Sequence, residues 1–271
     1  MSILWTSCQR APQPHTLSLV HGCLREVLST KAVQSRGRTW IGRMRSRNED
    51  VFMLRPEFGF LAVADGMGGT SAGHIAARIA VDEVAEHLLE ISKKRDIDSN
   101  DIVEAITGAN LLVHERGQIY TDFQGMGTTL VSIVVSGYKA TLGHVGDSRA
   151  YLLRKKELSR ITRDHSVVQE LVDRGELTSE QARVAHNRNI VTRCIGPFAH
   201  VEPEITVQEL QPGDVVMMCT DGVSDFISDE EICEIMDAHS HSLPNLLGSL
   251  IETADKHGST DNITAVVAKF Q

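Results

Sequence analysis

Phe58-Gly59-Phe60-Leu61-Ala62-Val63-Ala64-Asp65-Gly66-Met67-Gly68-Gly69 is an apolar run that stops on an aspartate and then on glycines. Phe58 to Ala64 reads as a strand, because the run is short, apolar and bounded by turn residues. The glycines after Asp65 leave room around its carboxylate, so the strand delivers an acid to an open loop. Upstream, Val51 to Leu54 reads as a second strand, with the turn at Pro56-Glu57 between them, and Asp50 stands just before it. Downstream, Ala72 to Ile91 repeats Ile75, Ala76, Ile79, Ala80, Val84 and Leu88 at helical spacing. A second helix is expected from Ser99 to Ile119.

Strands then return. Thr128 to Val135 is dense in β-branched residues, and Tyr138 to Val145 follows the Ser136-Gly137 turn. Gly146-Asp147-Ser148 separates this from Arg149 to Leu153, which leads into a hairpin turn at Lys155-Lys156. Asp164 to Arg193 is polar and reads as helical or irregular. Strands are expected at Glu204 to Leu210 and Asp214 to Cys219, helices at Asp229 to Ala238 and Leu243 to Lys256, and a closing strand at Ile263 to Lys269. This is not a βαβ alternation. It predicts an α+β fold of mainly antiparallel sheets with helices packed outside. The main domain is expected over residues 37–271. Residues 1–36 form an extension in which Leu17, Val20, Leu24 and Leu28 follow Thr16 at helical spacing, fitting either a short amphipathic helix or a frayed segment.

The 271 residues are 41% hydrophobic and 23% charged, an ordinary globular mix. With 27 basic against 36 acidic residues the net charge is −9, and no basic run offers a nucleic-acid face. The five cysteines include no CxxC pair, which argues against a disulfide framework or a zinc site and fits a reducing, cytoplasmic setting. No stretch reaches the roughly 20 apolar residues that span a bilayer.

Five aspartates fall where strands meet loops: Asp50, Asp65, Asp147, Asp221 and Asp261. Each is flanked by Gly, Asn or Glu. An aspartate at a strand end often only caps a loop, but five of them could converge at one end of a sheet core. Hard divalent cations prefer such oxygen ligands. Two of them about 3.5–4 Å apart acidify a shared water and stabilise charge on a phosphoryl group.

The runs Arg45-Ser46-Arg47-Asn48-Glu49-Asp50, Ala64-Asp65-Gly66-Met67-Gly68-Gly69, Gly127-Thr128-Thr129, Gly146-Asp147-Ser148-Arg149, Thr220-Asp221-Gly222 and Asp261-Asn262-Ile263-Thr264 occur in this order. Together they resemble the bacterial branch of the metal-dependent type 2C serine/threonine protein phosphatases, over about residues 38–270. The resemblance implies a central β-sandwich of two antiparallel sheets flanked by pairs of helices. It implies two Mn2+ or Mg2+ ions held by Asp50, Asp65, Asp221, Asp261 and the Gly66 carbonyl, with Glu49 acting through water. Asp147 and Asp225 match positions that help hold a weaker third ion. Arg45 matches the arginine that grips the substrate phosphate, a task suited to a planar guanidinium. Phosphorylated proteins are the implied substrates and a bacterial serine/threonine kinase the implied opponent. A monomer is expected.

The chain departs from many eukaryotic relatives in carrying Met67 where they have a histidine regarded as the general acid. Methionine has no proton to give. A metal-bound water is the first candidate donor, and His165 in Thr162-Arg163-Asp164-His165-Ser166 is the second. Residues 166–193 resemble the family's variable flap, a rim loop that would shape substrate choice. Two other readings stay open: a catalytically silent phosphoprotein-binding relative, and a phosphatase regulator of partner switching. Retention of every motif carboxylate favours the enzyme over the first. The shortness of the extension disfavours the second.

Overall fold

A computed structural model describes residues 33–68 and 72–271, together with the backbone of Arg25–Glu26. The chain runs β1 (Arg25–Glu26), β2 (Val33–Trp40), β3 (Val51–Arg55), β4 (Phe60–Ala64), β5 (Gly66–Met67), α1 (Gly73–Ser92), α2 (Ser99–Ile119), β6 (Gly127–Thr128), β7 (Leu130–Ser136), β8 (Lys139–Val145), β9 (Arg149–Arg154) and β10 (Glu157–Arg160). It continues through α3 (Val167–Asp173), α4 (Ser179–Val184), β11 (Glu204–Glu209), β12 (Val215–Cys219), α5 (Asp221–Ser224), α6 (Asp229–His239), α7 (Leu243–Lys256) and β13 (Ile263–Phe270). A six-stranded sheet has the order β1-β2-β13-β12-β9-β10, a five-stranded sheet the order β11-β8-β7-β4-β3, and β5 and β6 form a small pair.

Side chains alternate across a strand, and here both faces of the central strands are covered. On β4, Phe60, Ala62 and Ala64 pack with α1 and α2, whereas Leu61 and Val63 pack between the sheets. On β12, Val215, Met217 and Cys219 pack with α6 and α7, whereas Val216 and Met218 point between the sheets. This is why these strands read as unbroken apolar runs rather than alternating ones. The result is a four-layer helix–sheet–sheet–helix sandwich. Fully buried Leu246 and Leu250 of α7 illustrate the driving force, each contributing about 1.5–3 kcal/mol.

The boundary expected at residue 36 falls inside β2. That strand pairs with β13 along its whole length, from Val33 opposite Phe270 to Trp40 opposite Ile263. Its polar, glycine-containing sequence hid it. Gly37 has a packing purpose, because a Cβ there would lie 2.5 Å from the Phe52 ring. Of the amphipathic helix expected around Leu17 to Leu28, Arg25–Glu26 instead pair as a strand with Gly37 and Arg36, and the rest lies outside the described residues. The polar segment after Asp164 holds two short helices, α3 and α4, N-capped by Ser166 and Thr178 respectively.

The antiparallel register brings the aspartates together. Val51 of β3 pairs with Ala64 of β4, Leu130 of β7 with Val145 of β8, and Cys219 of β12 with both Ala265 of β13 and Arg149 of β9. Asp50, Asp65, Asp147, Asp221 and Asp261 therefore stand at the same end of the sandwich.

Candidate metal centre and active site

The loop that carries Arg45, Glu49 and Asp50 is pinned from the other sheet. Asn262 Nδ2 donates to the carbonyls of Ile41 at 2.8 Å and Arg47 at 3.0 Å, and its Oδ1 accepts the Glu49 N–H at 2.8 Å. Thr220 Oγ1 donates to Asp50 Oδ2 at 2.9 Å. Asp65 is fixed through its backbone. Its N–H donates to Thr129 Oγ1 at 2.9 Å, and its carbonyl accepts from Thr128 Oγ1 at 2.8 Å. These polar contacts aim carboxylates from both sheets into one place.

That place is an open cavity of about 480 Å³, lined by Arg45, Glu49, Asp65, Gly66, Met67, Asp147, Asp221 and Asp261, among others. Burial raises the Asp50 pKa to about 7, and the neighbouring charge of Asp261 pushes the same way. Asp65 lies well above the usual carboxylate range through burial and the charges of Asp50, Asp221, Asp261 and Asp147. Asp221 is raised for the same reasons, with Asp147 and Asp225 its strongest charged neighbours. Glu49 Oε1, Asp50 Oδ1 and Asp221 Oδ1 are buried and have no hydrogen-bond partner. Buried anionic oxygens without donors are costly, and hard cations remove that cost. The residues therefore fit Mn2+ or Mg2+. Mn2+ and Mg2+ need only one or two carboxylates each and complete their shells with water.

The remaining expected residues sort by position. Arg45 is half-exposed at the rim, and its Nη2 donates to Asp261 Oδ2 at 2.6 Å. Gly66 has backbone on both sides: a Cβ would lie 2.2 Å from the Gly73 carbonyl oxygen and 2.8 Å from that of Glu49. Asp147 lines this cavity and also a smaller adjoining one of about 210 Å³, which Asp225 and Arg188 line as well. Burial pushes Asp147 up to about 7, helped by the charges of Asp164 and Asp225. Arg188 Nε approaches Asp225 Oδ2 at 3.6 Å. From the segment expected as a flap, Asn189 and Val191 reach the main cavity.

His165 corrects an expectation. It does not line the cavity and is 4% exposed. Its Nδ1 accepts the Gly146 N–H at 3.0 Å, and its Nε2 lies 3.3 Å from Glu204 Oε2. A ring committed on both sides cannot protonate a leaving group in the cavity. Sequence reasoning also passed over Thr220 and Asn262 as site residues. Both sit beside motif aspartates, and only the fold shows that they orient Asp50 and the Arg45–Asp50 loop.

The protein phosphatase 2C family model matches residues 43–265. The serine/threonine protein phosphatase PstP of Mycobacterium tuberculosis is 38% identical over 230 residues, which are 84% of this chain and 43% of PstP. The chain thus spans less than half the length of that relative. The serine/threonine phosphatase stp of Listeria monocytogenes is 32% identical over 237 residues, 86% of this chain and 94% of the relative. A crystal structure of the PstP catalytic domain with two manganese ions has a TM-score of 0.79 at 34% identity, covering 88% of this chain and 98% of that one. The sandwich, the order of its motifs and these likenesses agree, and the chain belongs to the protein phosphatase 2C family.

Proposed function

We propose that this chain is a manganese- or magnesium-dependent protein-serine/threonine phosphatase. The observation that carries the reading is the convergence of Asp65, Asp221 and Asp261 on one cavity beside Asp50, with orphaned buried carboxylate oxygens and an arginine at the rim. Asp50, Asp65, Asp221 and Asp261 would hold two ions, Gly66 would offer its carbonyl, Glu49 would accept from water, and Asp147 with Asp225 would hold a third. Such ions, when bound, acidify a water for attack at phosphorus and neutralise charge on the phosphoryl oxygens.

The chain's own residues do the rest. Arg45 presents a guanidinium that can meet two phosphate oxygens, and Asp261 holds it over the cavity. Met67 lines the cavity without a proton to donate, so the leaving alcohol must take its proton from another group, for which a water held by the bound metal would be the first candidate. Asn189 and Val191 place the 166–193 segment where it would touch residues flanking the phosphorylated side chain. The free thiols of Cys194, Cys219 and Cys233 fit a cytoplasmic setting, and the substrates are proteins phosphorylated by a bacterial serine/threonine kinase. No helix among the described residues is long and apolar enough to cross a membrane. We expect a monomer.

Phosphate release from a phosphothreonine peptide tests this, measured with Mn2+, with Mg2+ and with chelator. Release with metal, none with chelator, and a loss of roughly two orders of magnitude in Asp221→Asn are expected. A folded protein that releases no phosphate with either metal would sink the proposal.

A further inference from the structure

Beside Asp147 lies a group of ionisable side chains that the phosphatase reading leaves unused. His144, His165 and Glu204 bring ligand atoms within 4.8 Å of one another. His144 stands opposite Glu204 in the β8–β11 register. Its ring lies 4.6 Å from that of His165, with 24° between the planes. His144 is 2% exposed, and neither of its ring nitrogens has a partner.

A bound cation is the first thought for such a trio, but the proton positions oppose it. The Gly146 N–H donates to His165 Nδ1 at 3.0 Å, so the lone pair of the neutral ring is on Nδ1 and the proton is on Nε2. Nε2 then donates to Glu204 Oε2 at 3.3 Å. Arg193 Nη1 donates to the Glu202 carbonyl at 3.0 Å and also lies 3.1 Å from the same Nε2, a contact between two donors in this tautomer that places a positive charge beside the ring. An ion on Nε2 would need a lone pair this tautomer lacks, and it would sit against a guanidinium.

The bonds of His165 point to another role. Its side chain takes the Gly146 N–H, and its backbone N–H donates to the Gly146 carbonyl at 2.8 Å. One residue thus grips both peptide groups of Gly146, next to Asp147. Gly146 has φ +110°, and a Cβ there would lie 2.6 Å from Thr129 Cβ, so the turn is wedged between Thr129 and His165. The His165 carbonyl accepts the Thr192 N–H at 2.8 Å, which ties the end of the 166–193 segment to the same point. We infer that His165, held by Glu204 and stacked on His144, is a positioning residue that sets the Asp147 carboxylate and thereby the metal affinity of that side of the cavity. Burial pushes the His144 pKa down to about 3, so it stays an uncharged plate beneath His165.

The inference rests on the reading of Asp147 as a metal ligand, and its test separates the two. The experiment compares His165→Leu, His165→Asn and Asp147→Asn by hydrogen exchange of the Gly146 amide and by calorimetric titration with Mn2+. Asparagine puts an oxygen where Nδ1 is, and leucine removes the acceptor. His165→Leu should speed Gly146 exchange at least tenfold and weaken Mn2+ binding about tenfold, the usual cost of losing an outer partner. His165→Asn should restore most of both. Unchanged Gly146 protection in His165→Leu, or equal impairment in His165→Asn, overturns the inference. Should His165→Leu not fold, His165→Gln, with its acceptor in the Nε2 position, replaces it. If Gly146 loosens as expected while Asp147→Asn leaves the Mn2+ titration unchanged, the metal reading of Asp147 fails and the positioning of the turn stands.

Discussion

Asp50→Asn should stabilise the metal-free protein while abolishing its stabilisation by manganese. Asp50 is 7% exposed, and burial lifts its pKa from the ordinary 3.8 to about 7. The sign follows from proton linkage. Between those two values the unfolded chain has lost the proton and the folded protein keeps it, so stability falls as pH rises through that window. Three pKa units at about 1.4 kcal/mol each give about 4 kcal/mol lost by pH 7. An effective interior dielectric of about 20, rather than that of dry protein, brings the net cost to about 1–2 kcal/mol. Asparagine removes the charge and keeps an oxygen for the Thr220 hydroxyl, which bonds Asp50 Oδ2 at 2.9 Å. In a chain of this size each kcal/mol moves Tm by about 2–4 °C. Thermal melts at pH 7.5 in chelator should therefore place Asp50→Asn about 2–8 °C above the native sequence. In excess Mn2+ the order should reverse, because ion binding stabilises only the intact site. A variant less stable than native in chelator, with an undiminished Mn2+ shift, would refute the reasoning.

Arg45→Ala should cost about 1.5–3 kcal/mol of substrate binding, the range for a charge-assisted hydrogen bond, read as a 10- to 150-fold fall in kcat/KM. If Arg45 holds ground and transition states alike, the change falls on KM. Gly66→Ala should destabilise the fold by about 1–3 kcal/mol or more through overpacking, since its Cβ would press on two backbone carbonyls; a denaturant midpoint equal to native would count against that packing. Exchanging residues 166–193 for the corresponding segment of a relative should alter preference among phosphopeptides and spare hydrolysis of a small aryl phosphate. Equal loss on both would assign the segment to the fold instead.

The acids were legible because each central aspartate closes or opens an apolar strand, as Asp65 does after Phe60–Ala64 and Asp221 after Val215–Cys219. Antiparallel sheets with helices packed outside were legible from the order of strands and helices, whereas the two-sheet sandwich was implied only by the family resemblance. What failed to show was anything whose meaning depends on distant partners. β2 is largely polar and carries Gly37 near its middle, so nothing local marked it as a strand beside β13. His165 follows an acidic loop residue and read as a possible proton donor, yet its ring turns to Gly146 and Glu204. Asn262 orders a loop more than 200 positions away, joining Ile41, Arg47 and Glu49. Spacing along the chain cannot reveal that, because the contact exists only once the two sheets have packed.

The most direct test of the metal centre is anomalous diffraction at the manganese edge from crystals grown with Mn2+. The account predicts two strong peaks in the cavity between Asp50, Asp65, Asp221 and Asp261, with any weaker third peak beside Asp147 and Asp225. An empty cavity, or manganese bound instead between His144, His165 and Glu204, would contradict it.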